Sequence, residues 1–346
     1  MKMVLIGARD SIRTQYFSKA ADSLGVDLTV IPYPAPDRLM EFNLDALDGC
    51  FVKLDPPEYG HSDISCLNTD IGNYIAFLRL LETNCEARLL NSVDAIISTL
   101  DKRECKRVLH DAGVSVTRLM PDAATLAELR EALFQTKAHG VFIKPRWGSG
   151  ASGVIAYRSN PATGEEVIYT SARYSDGCLW NTNRLRRISD PFLINAIVNG
   201  VLAMDAVIEE WIPKTDFKGK TFDLRVVFQF GKMSFMVARQ STGPITNLHL
   251  NNKPLEMDEL SLPDATLAEI ESLCFDATAL FPGLEVCGMD ILLRRHTLEP
   301  YVIEMNAQGD LIYHDIFNEN RVYIEQVLHM NKRKHESGAN TPGERS

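Results

Sequence analysis

Two apolar runs near the end of the chain, Asp290-Ile-Leu-Leu and Tyr301-Val-Ile-Glu304-Met-Asn306, are separated by a short polar stretch and carry three oxygen donors between them. Such a pair reads as a β-hairpin. On a strand alternate residues share a face, so Glu304 and Asn306 point the same way. Two carboxylates and an amide oxygen suit a hard cation such as Mg²⁺, which prefers oxygen, keeps some waters and is often completed by substrate phosphates. A hairpin with polar residues on its solvent face would look similar in isolation, so the rest of the chain has to decide.

With 346 residues, 45% of them hydrophobic and 24% charged, the chain is long enough to bury a large core and to divide into two or three lobes. A formal net charge of −10 argues against general nucleic-acid binding and against an anionic membrane surface. The seven cysteines are scattered with no CxxC pair, which reads as reduced thiols. Met1 to Gly7 is too short an apolar run for a signal peptide, and no run approaches bilayer-spanning length. The expected location is cytoplasmic.

The pattern of elements predicts an α/β lobe over residues 1–95 followed by α+β structure. Lys2 to Ile6 and Val26 to Ile31 read as strands around a helix from Thr14 to Leu24, and Cys50 to Leu54 as a third strand. Tyr74 to Leu81 reads as a buried helix. A second unit, 96–206, opens with the charged helix that starts at Asp101-Lys102 and ends before Gly113. A capping box at Thr125 and Glu128 starts another helix. Next comes Val141-Phe-Ile-Lys144-Pro-Arg-Trp-Gly148-Ser149-Gly150-Ala-Ser-Gly153, a strand leading into a glycine-rich loop. Small residues let backbone N–H groups approach an anion, and Lys144 adds a point charge for a phosphate. It is not a Walker loop, because no GKS or GKT closes it.

A third unit, 207–330, has β-rich segments. These are Val207-Ile-Glu209-Glu210-Trp211-Ile212, then Phe222-Asp223-Leu-Arg225, then Met236-Val-Ala-Arg239, with a helix from Thr266 to Leu280 to pack on the sheet. Asp223 and Arg225 share a strand face and could be a structural ion pair. Thr246-Asn247-Leu248-His249 sits in a loop after Gly243-Pro244. Residues 331–346 are polar and aperiodic, and are expected to be disordered.

Taken in order, these elements resemble the ATP-grasp superfamily over about residues 95–315. The Asn247-Leu-His249 and Glu304-Met-Asn306 elements are most similar to the branch that adds glutamate to ribosomal protein tails. The resemblance implies an N-terminal lobe and two further lobes that clamp ATP. It implies an ADP-producing carboxylate–amine ligase with an acyl phosphate intermediate, ATP, and one or two Mg²⁺ ions for which Mn²⁺ can substitute. Lys102 and Lys144 would hold the α and β phosphates, and the Gly148 to Gly153 loop would close as a lid. Glu209 to Ile212 would be the hinge that reads adenine and ribose, with Trp211 and Ile212 walling an apolar slot. Arg239 would meet the γ-phosphate, with Asp223, Arg225, Asn247 and His249 nearby, and Asp290, Glu304 and Asn306 would hold Mg²⁺. A phosphotransferase on the same clamp and a nucleotide-binding regulator without turnover are the alternatives.

Two stretches depart from the pattern. Arg173 to Arg187 is locally basic in an acidic protein. Arg184, Arg186 and Arg187, with Tyr174 and Trp180, would form a surface for an anionic small molecule or peptide; the alternative is a solvated helix before a capped one at Asp190-Pro191. After Asn306, Ala-Gln-Gly309-Asp310 stands where a small or proline-containing turn is expected, at the acceptor end of the site.

Overall fold

The computed structural model describes residues 2–59, 62–148, 151–250 and 252–336. Its first lobe is a parallel sheet of β1 (Lys2–Ile6), β2 (Leu28–Ile31), β3 (Cys50–Leu54) and β4 (Arg88–Leu89), in the order β2-β1-β3-β4. The continuous apolar sequence of β1 and β3 follows from burial on both faces. One face carries α2 (Leu67–Asn84) and α3 (Val93–Leu100), and the other carries α1 (Ile12–Ser23). Ser11 caps α1 by accepting from the Thr14 N–H at 3.1 Å.

Next in the chain is α4 (Lys102–Asp111), capped by Asp101, whose carboxylate accepts from the Arg103 and Glu104 N–H groups. Its apolar residues Cys105 and Leu109 pack into the core of the third lobe. The central lobe begins with α5 (Leu126–Thr136), capped by Thr125 as the capping box predicts. Its antiparallel sheet is built from β5 (Gly140–Lys144), β6 (Ile155–Ser159), β7 (Glu166–Ser175), β8 (Cys178–Ile188) and, after α6 (Pro191–Leu202), β9 (Val207–Glu210). The strand order is β8-β7-β6-β5-β9. The stretch holding Arg184, Arg186 and Arg187 is therefore a strand and not a helix. Asp176 and Gly177 both take positive φ, the requirement of a two-residue hairpin turn matched to strand twist. The capped helix at Asp190-Pro191 does form: Asp190 Oδ1 accepts from the Leu193 N–H at 2.9 Å.

The third lobe contains β10 (Asp216–Phe217), β11 (Lys220–Gln229), β12 (Lys232–Ser241), β13 (Lys253–Leu255), α7 (Met257–Leu260), α8 (Asp264–Ala279), β14 (Val286–Leu293) and β15 (Pro300–Asn306). Its main sheet runs β13-β12-β11-β14-β15, and α8 covers one face. The last described element is α9 (Arg321–Glu336), so the expected disordered tail is helical as far as Glu336; residues 337–346 lie outside the described residues. Among the described residues, no helix is long and apolar enough to cross a membrane.

The expected boundaries shift at both ends of the third lobe. β9 pairs with β5, so the central sheet continues to Glu210 and does not stop at 206. α9 packs Val322, Tyr323, Val327 and Met330 beside α1 residues Phe17, Ala20 and Ala21, so the first lobe is completed by the end of the chain. Residues 115–120 join the two antiparallel sheets. The Val302 N–H donates to Ser115 O at 2.9 Å and the Thr117 N–H to Val302 O at 3.3 Å, while the Met120 N–H donates to Ile208 O at 2.8 Å.

Candidate active site

A cavity of about 500 Å³ opens where the three lobes meet. Of the residues singled out in the sequence, Lys144, Gly148, Glu209, Glu210, Ile212, Asp223, Arg225, Arg239, Asn247, Asp290, Glu304 and Asn306 line it. Elements far apart in sequence supply them, and sheet register sets their spacing. Asp290 on β14 is directly opposite Glu304 on β15, and Gly288 is opposite Asn306. On the other side of β14, Arg225 is opposite Asp290, and across β11 Asp223 is opposite Arg239.

Opposite charges alternate along this floor. Arg225 Nη1 lies 3.1 Å from Asp290 Oδ1, and Arg239 Nη2 lies 2.9 Å from Asp290 Oδ2. Arg239 Nε donates to Asp223 Oδ1 at 2.8 Å. The Asp223 carboxyl is buried, yet Arg239 and Lys214 hold it well below the usual carboxylate range. Burial also opposes the charge on Arg239, but Asp223 and Asp290 outweigh it and raise its pKa. Asp223 and Arg225 share a face as expected, but each pairs with a different neighbour and not with the other.

The two expected lysines behave differently. Lys144 Nζ donates to Glu209 Oε2 at 2.9 Å. Burial works against its charge, but Glu209, Glu304 and Asp290 together raise its pKa above the ordinary value. Lys102 Nζ donates to Gly148 O and lies 3.6 Å from Glu304 Oε1, tying the glycine loop to the floor. Gly148 and Gly153 take φ of 109° and 69°, and a side chain at Gly153 would press on Pro145 at 2.8 Å. Ser149 and Gly150 lie outside the described residues. His249 falls in the 3₁₀ turn Leu248–Leu250.

The hinge differs from expectation in two details. Glu209 is 1% exposed, and its Oε2 is shared by Lys144, by Lys106 at 3.1 Å and by the Thr117 hydroxyl at 2.8 Å. Burial would raise its pKa, but Lys106 and Lys144 hold it below the usual value; Oε1 makes no hydrogen bond. Trp211 does not wall the cavity. Its ring packs 4.9 Å from Phe142 and lies under the Arg158 guanidinium, while Phe142, Val154, Ile212 and Ile303 supply the apolar cavity surface.

Asp290, Glu304 and Asn306 fit a hard cation by donor chemistry. All three present oxygen, and buried Asp290 Oδ1 has Arg225 Nη1 as an ion-pair partner at 3.1 Å but makes no well-aligned hydrogen bond. Asn306 Oδ1 accepts from the Gln308 N–H at 2.8 Å, which leaves its second lone pair for a cation. Among the described residues no group of three or more His, Cys, Asp and Glu side chains is placed to hold a metal ion; the candidate set here is two carboxylates and an amide.

Sequence reasoning missed Lys106, Thr117, Lys214 and Arg13. Lys106 lies one helical turn after Lys102, a spacing that places both on one face of α4. Nothing local marks Lys214 or Arg13 as cavity residues. Arg13 bonds Asp310 and, at 2.7 Å, Gln308 O, and Lys53 lies 3.0 Å from Asp310 Oδ2. The unexpected turn after Asn306 is thus clamped to the first lobe by buried ion pairs.

No protein-family profile matches the chain, and no curated protein matches it in sequence. Solved structures do. D-cycloserine synthetase DcsG is similar with a TM-score of 0.61 and 14% identity, covering 95% of this chain and 100% of its own. The macrocyclase MdnC from Microcystis aeruginosa MRC, bound with precursor peptide MdnA, gives 0.59 and 13%, with 95% and 100% covered. The ATP-grasp ligase PsnB, complexed with minimal precursor, Mg and ADP, gives 0.56 and 16%, with 96% and 98% covered. The chain has the ATP-grasp fold over nearly its whole length.

Proposed function

We propose that this protein is an ATP- and Mg²⁺-dependent ligase that joins a carboxylate to an amine through an acyl phosphate. The observation that carries this reading is one cavity in which sheet register gathers two carboxylates and an amide on β14 and β15, with Arg225, Arg239 and Lys144 facing them. The similar structures support it: one is a synthetase, one a macrocyclase with a precursor peptide, and one an ATP-grasp ligase with Mg and ADP.

In this reading the apolar cavity wall of Phe142, Val154, Ile212 and Ile303 takes the adenine, and the hinge from Glu209 to Ile212 reads adenine and ribose. Lys144 on β5 of the central lobe and Lys102 at the start of α4 would hold the phosphates, and the Gly148 to Gly153 loop would close as a lid. Asp290, Glu304 and Asn306 would hold Mg²⁺, which would supply charge neutralisation on the β and γ phosphates. Arg239 stabilises negative charge on the transferring γ-phosphoryl group. The substrate carboxylate attacks that group in line, ADP leaves, and an amine then displaces phosphate. The organic substrate is a small molecule or a peptide.

The fate of the γ-phosphoryl group tests the reading. With ATP, Mg²⁺ and pools of carboxylates, amines and peptides, a ligase releases ADP and free phosphate, and hydroxylamine diverts the acyl phosphate to a hydroxamate. Phosphorus NMR that finds the phosphoryl group retained on an organic product, or AMP with pyrophosphate, contradicts it.

A further inference from the structure

Lys214 is a cavity cation that neither the motif pattern nor the floor described above accounts for. It follows the hinge, on the segment between Ile212 and β10, and lines the cavity. Its Nζ donates to Thr246 Oγ1 at 2.7 Å and to Asp223 Oδ2 at 3.2 Å, while the Thr246 hydroxyl itself donates to Asp223. Its side chain is 10% exposed. Asp223 therefore carries two cations at once, Lys214 on one oxygen and Arg239 on the other. Within this chain of ion pairs the three cations Lys214, Arg225 and Arg239 share two carboxylates, Asp223 and Asp290, while Glu304 on the next strand has Lys102 as its cation.

A buried surplus of positive charge is costly unless a ligand completes it. The surplus grows when Asp290 is turned to a metal ion, because Asp223 is then the sole carboxylate left for Lys214 and Arg239. Burial already lowers the Lys214 pKa, with Asp223 opposing that shift and Arg239 reinforcing it. Thr246 adjoins Asn247 on the same cavity wall, so Lys214 sits between the hinge and the loop that faces the metal strands.

We propose that Lys214 is a further phosphate-binding residue, which donates to the terminal phosphate of the nucleotide from the third lobe while Lys144 holds the chain of phosphates from the central lobe. The proposal rests on the nucleotide reading above. It gives the γ-phosphoryl group two cations on a shared carboxylate, Arg239 and Lys214, which would fix its orientation for in-line transfer. A residue that only braced the Thr246 loop would not distinguish a nucleoside triphosphate from a diphosphate.

Calorimetric titration of the full chain with Mg-ADP and with its triphosphate analogue Mg-AMPPNP makes that distinction. Wild type is expected to bind AMPPNP more tightly than ADP. Lys214→Met is expected to lose about tenfold in AMPPNP affinity, the weight of one charge-assisted bond, with ADP affinity changed less than about twofold. Lys214→Arg is expected to keep the preference for AMPPNP. Lys214→Gln repeats the uncharged arm if the methionine variant does not fold. Equal losses for both nucleotides, or an unchanged preference in the uncharged variants, would overturn the proposal while leaving the ATP reading intact. Wild type that binds neither nucleotide would instead overturn the ATP reading, and this assignment with it.

Discussion

Arg239 Nη2 lies 2.9 Å from Asp290 Oδ2, so the residue proposed for the γ-phosphate is held by the residue proposed for the metal. Lys102 and Glu304 repeat the relationship at 3.6 Å. In the proposed reading a metal ion that took Asp290 and Glu304 would draw these carboxylates from Arg239 and Lys102, which would couple metal and nucleotide binding. Asp290→Asn removes the carboxylate charge from Arg225 and Arg239. In EDTA the variant is expected to bind AMPPNP roughly tenfold more tightly than wild type, a difference of about 1.4 kcal/mol. With Mg²⁺ the order should reverse. Weaker metal-free binding by Asp290→Asn would show that Asp290 does not restrain these arginines.

Gly288 and Gly309 bring the strand before Asp290 against the turn after Asn306. A Cβ built on Gly288 would lie 1.9 Å from Gly309 O, and one on Gly309 would lie 3.0 Å from Asn306 O. Backbone atoms cannot yield as a side chain can, so Gly288→Ala must displace the turn. The expected cost is about 1–3 kcal/mol in urea unfolding, as for other overpacked cores. The rise in melting temperature on adding Mg-AMPPNP should be much reduced. An alanine variant with full stability and a full ligand shift would mean that the turn does not fix Asn306.

Glu209→Gln tests the buried triad of Glu209, Lys106 and Lys144. Removing the charge leaves two buried ammonium groups without their shared partner, a loss of about 3–5 kcal/mol at neutral pH. The folded-state pKa of Glu209 is depressed, despite burial, by Lys106 and Lys144. Its stabilisation is therefore fully present above the ordinary carboxylate value and fades as pH falls through the lower folded value. Urea unfolding between neutral pH and about pH 3 should give a shallower acid limb for the glutamine variant. Parallel acid limbs would remove Glu209 as a linked group.

Arg184, Arg186 and Arg187 lie on β8, an edge strand, and none of them lines the cavity. Replacing all three by alanine is expected to leave the Mg-AMPPNP melting shift unchanged and to alter stability by no more than about 0.5 kcal/mol per site, as for ordinary surface positions. If this strand receives the organic substrate, acceptor affinity falls while nucleotide affinity stays. A lost nucleotide shift would assign the strand to the clamp itself.

Local pattern marked many of the elements and several residues of the candidate site. Capping residues at Thr125 and Asp190, alternation along β15, and the glycine loop after Lys144 are short-range signals, because each depends on residues within a few positions of one another. They marked Asp290, Glu304 and Asn306 as candidates and the strand that carries Lys144, and the ordered set of motifs along the chain was needed to favour a cation site over a solvated hairpin face. Tertiary structure decided which charges meet. That Asp290 is flanked by Arg225 and Arg239 follows from the register of β11, β12 and β14, and a shift of one residue would send these side chains to the opposite face. That α9 completes the first lobe, that Trp211 turns to Arg158 and not to the cavity, and that Lys214 shares Asp223 with Arg239 all depend on contacts between distant segments. Burial and counter-charge are properties of the packed chain, and no spacing in the sequence encodes them.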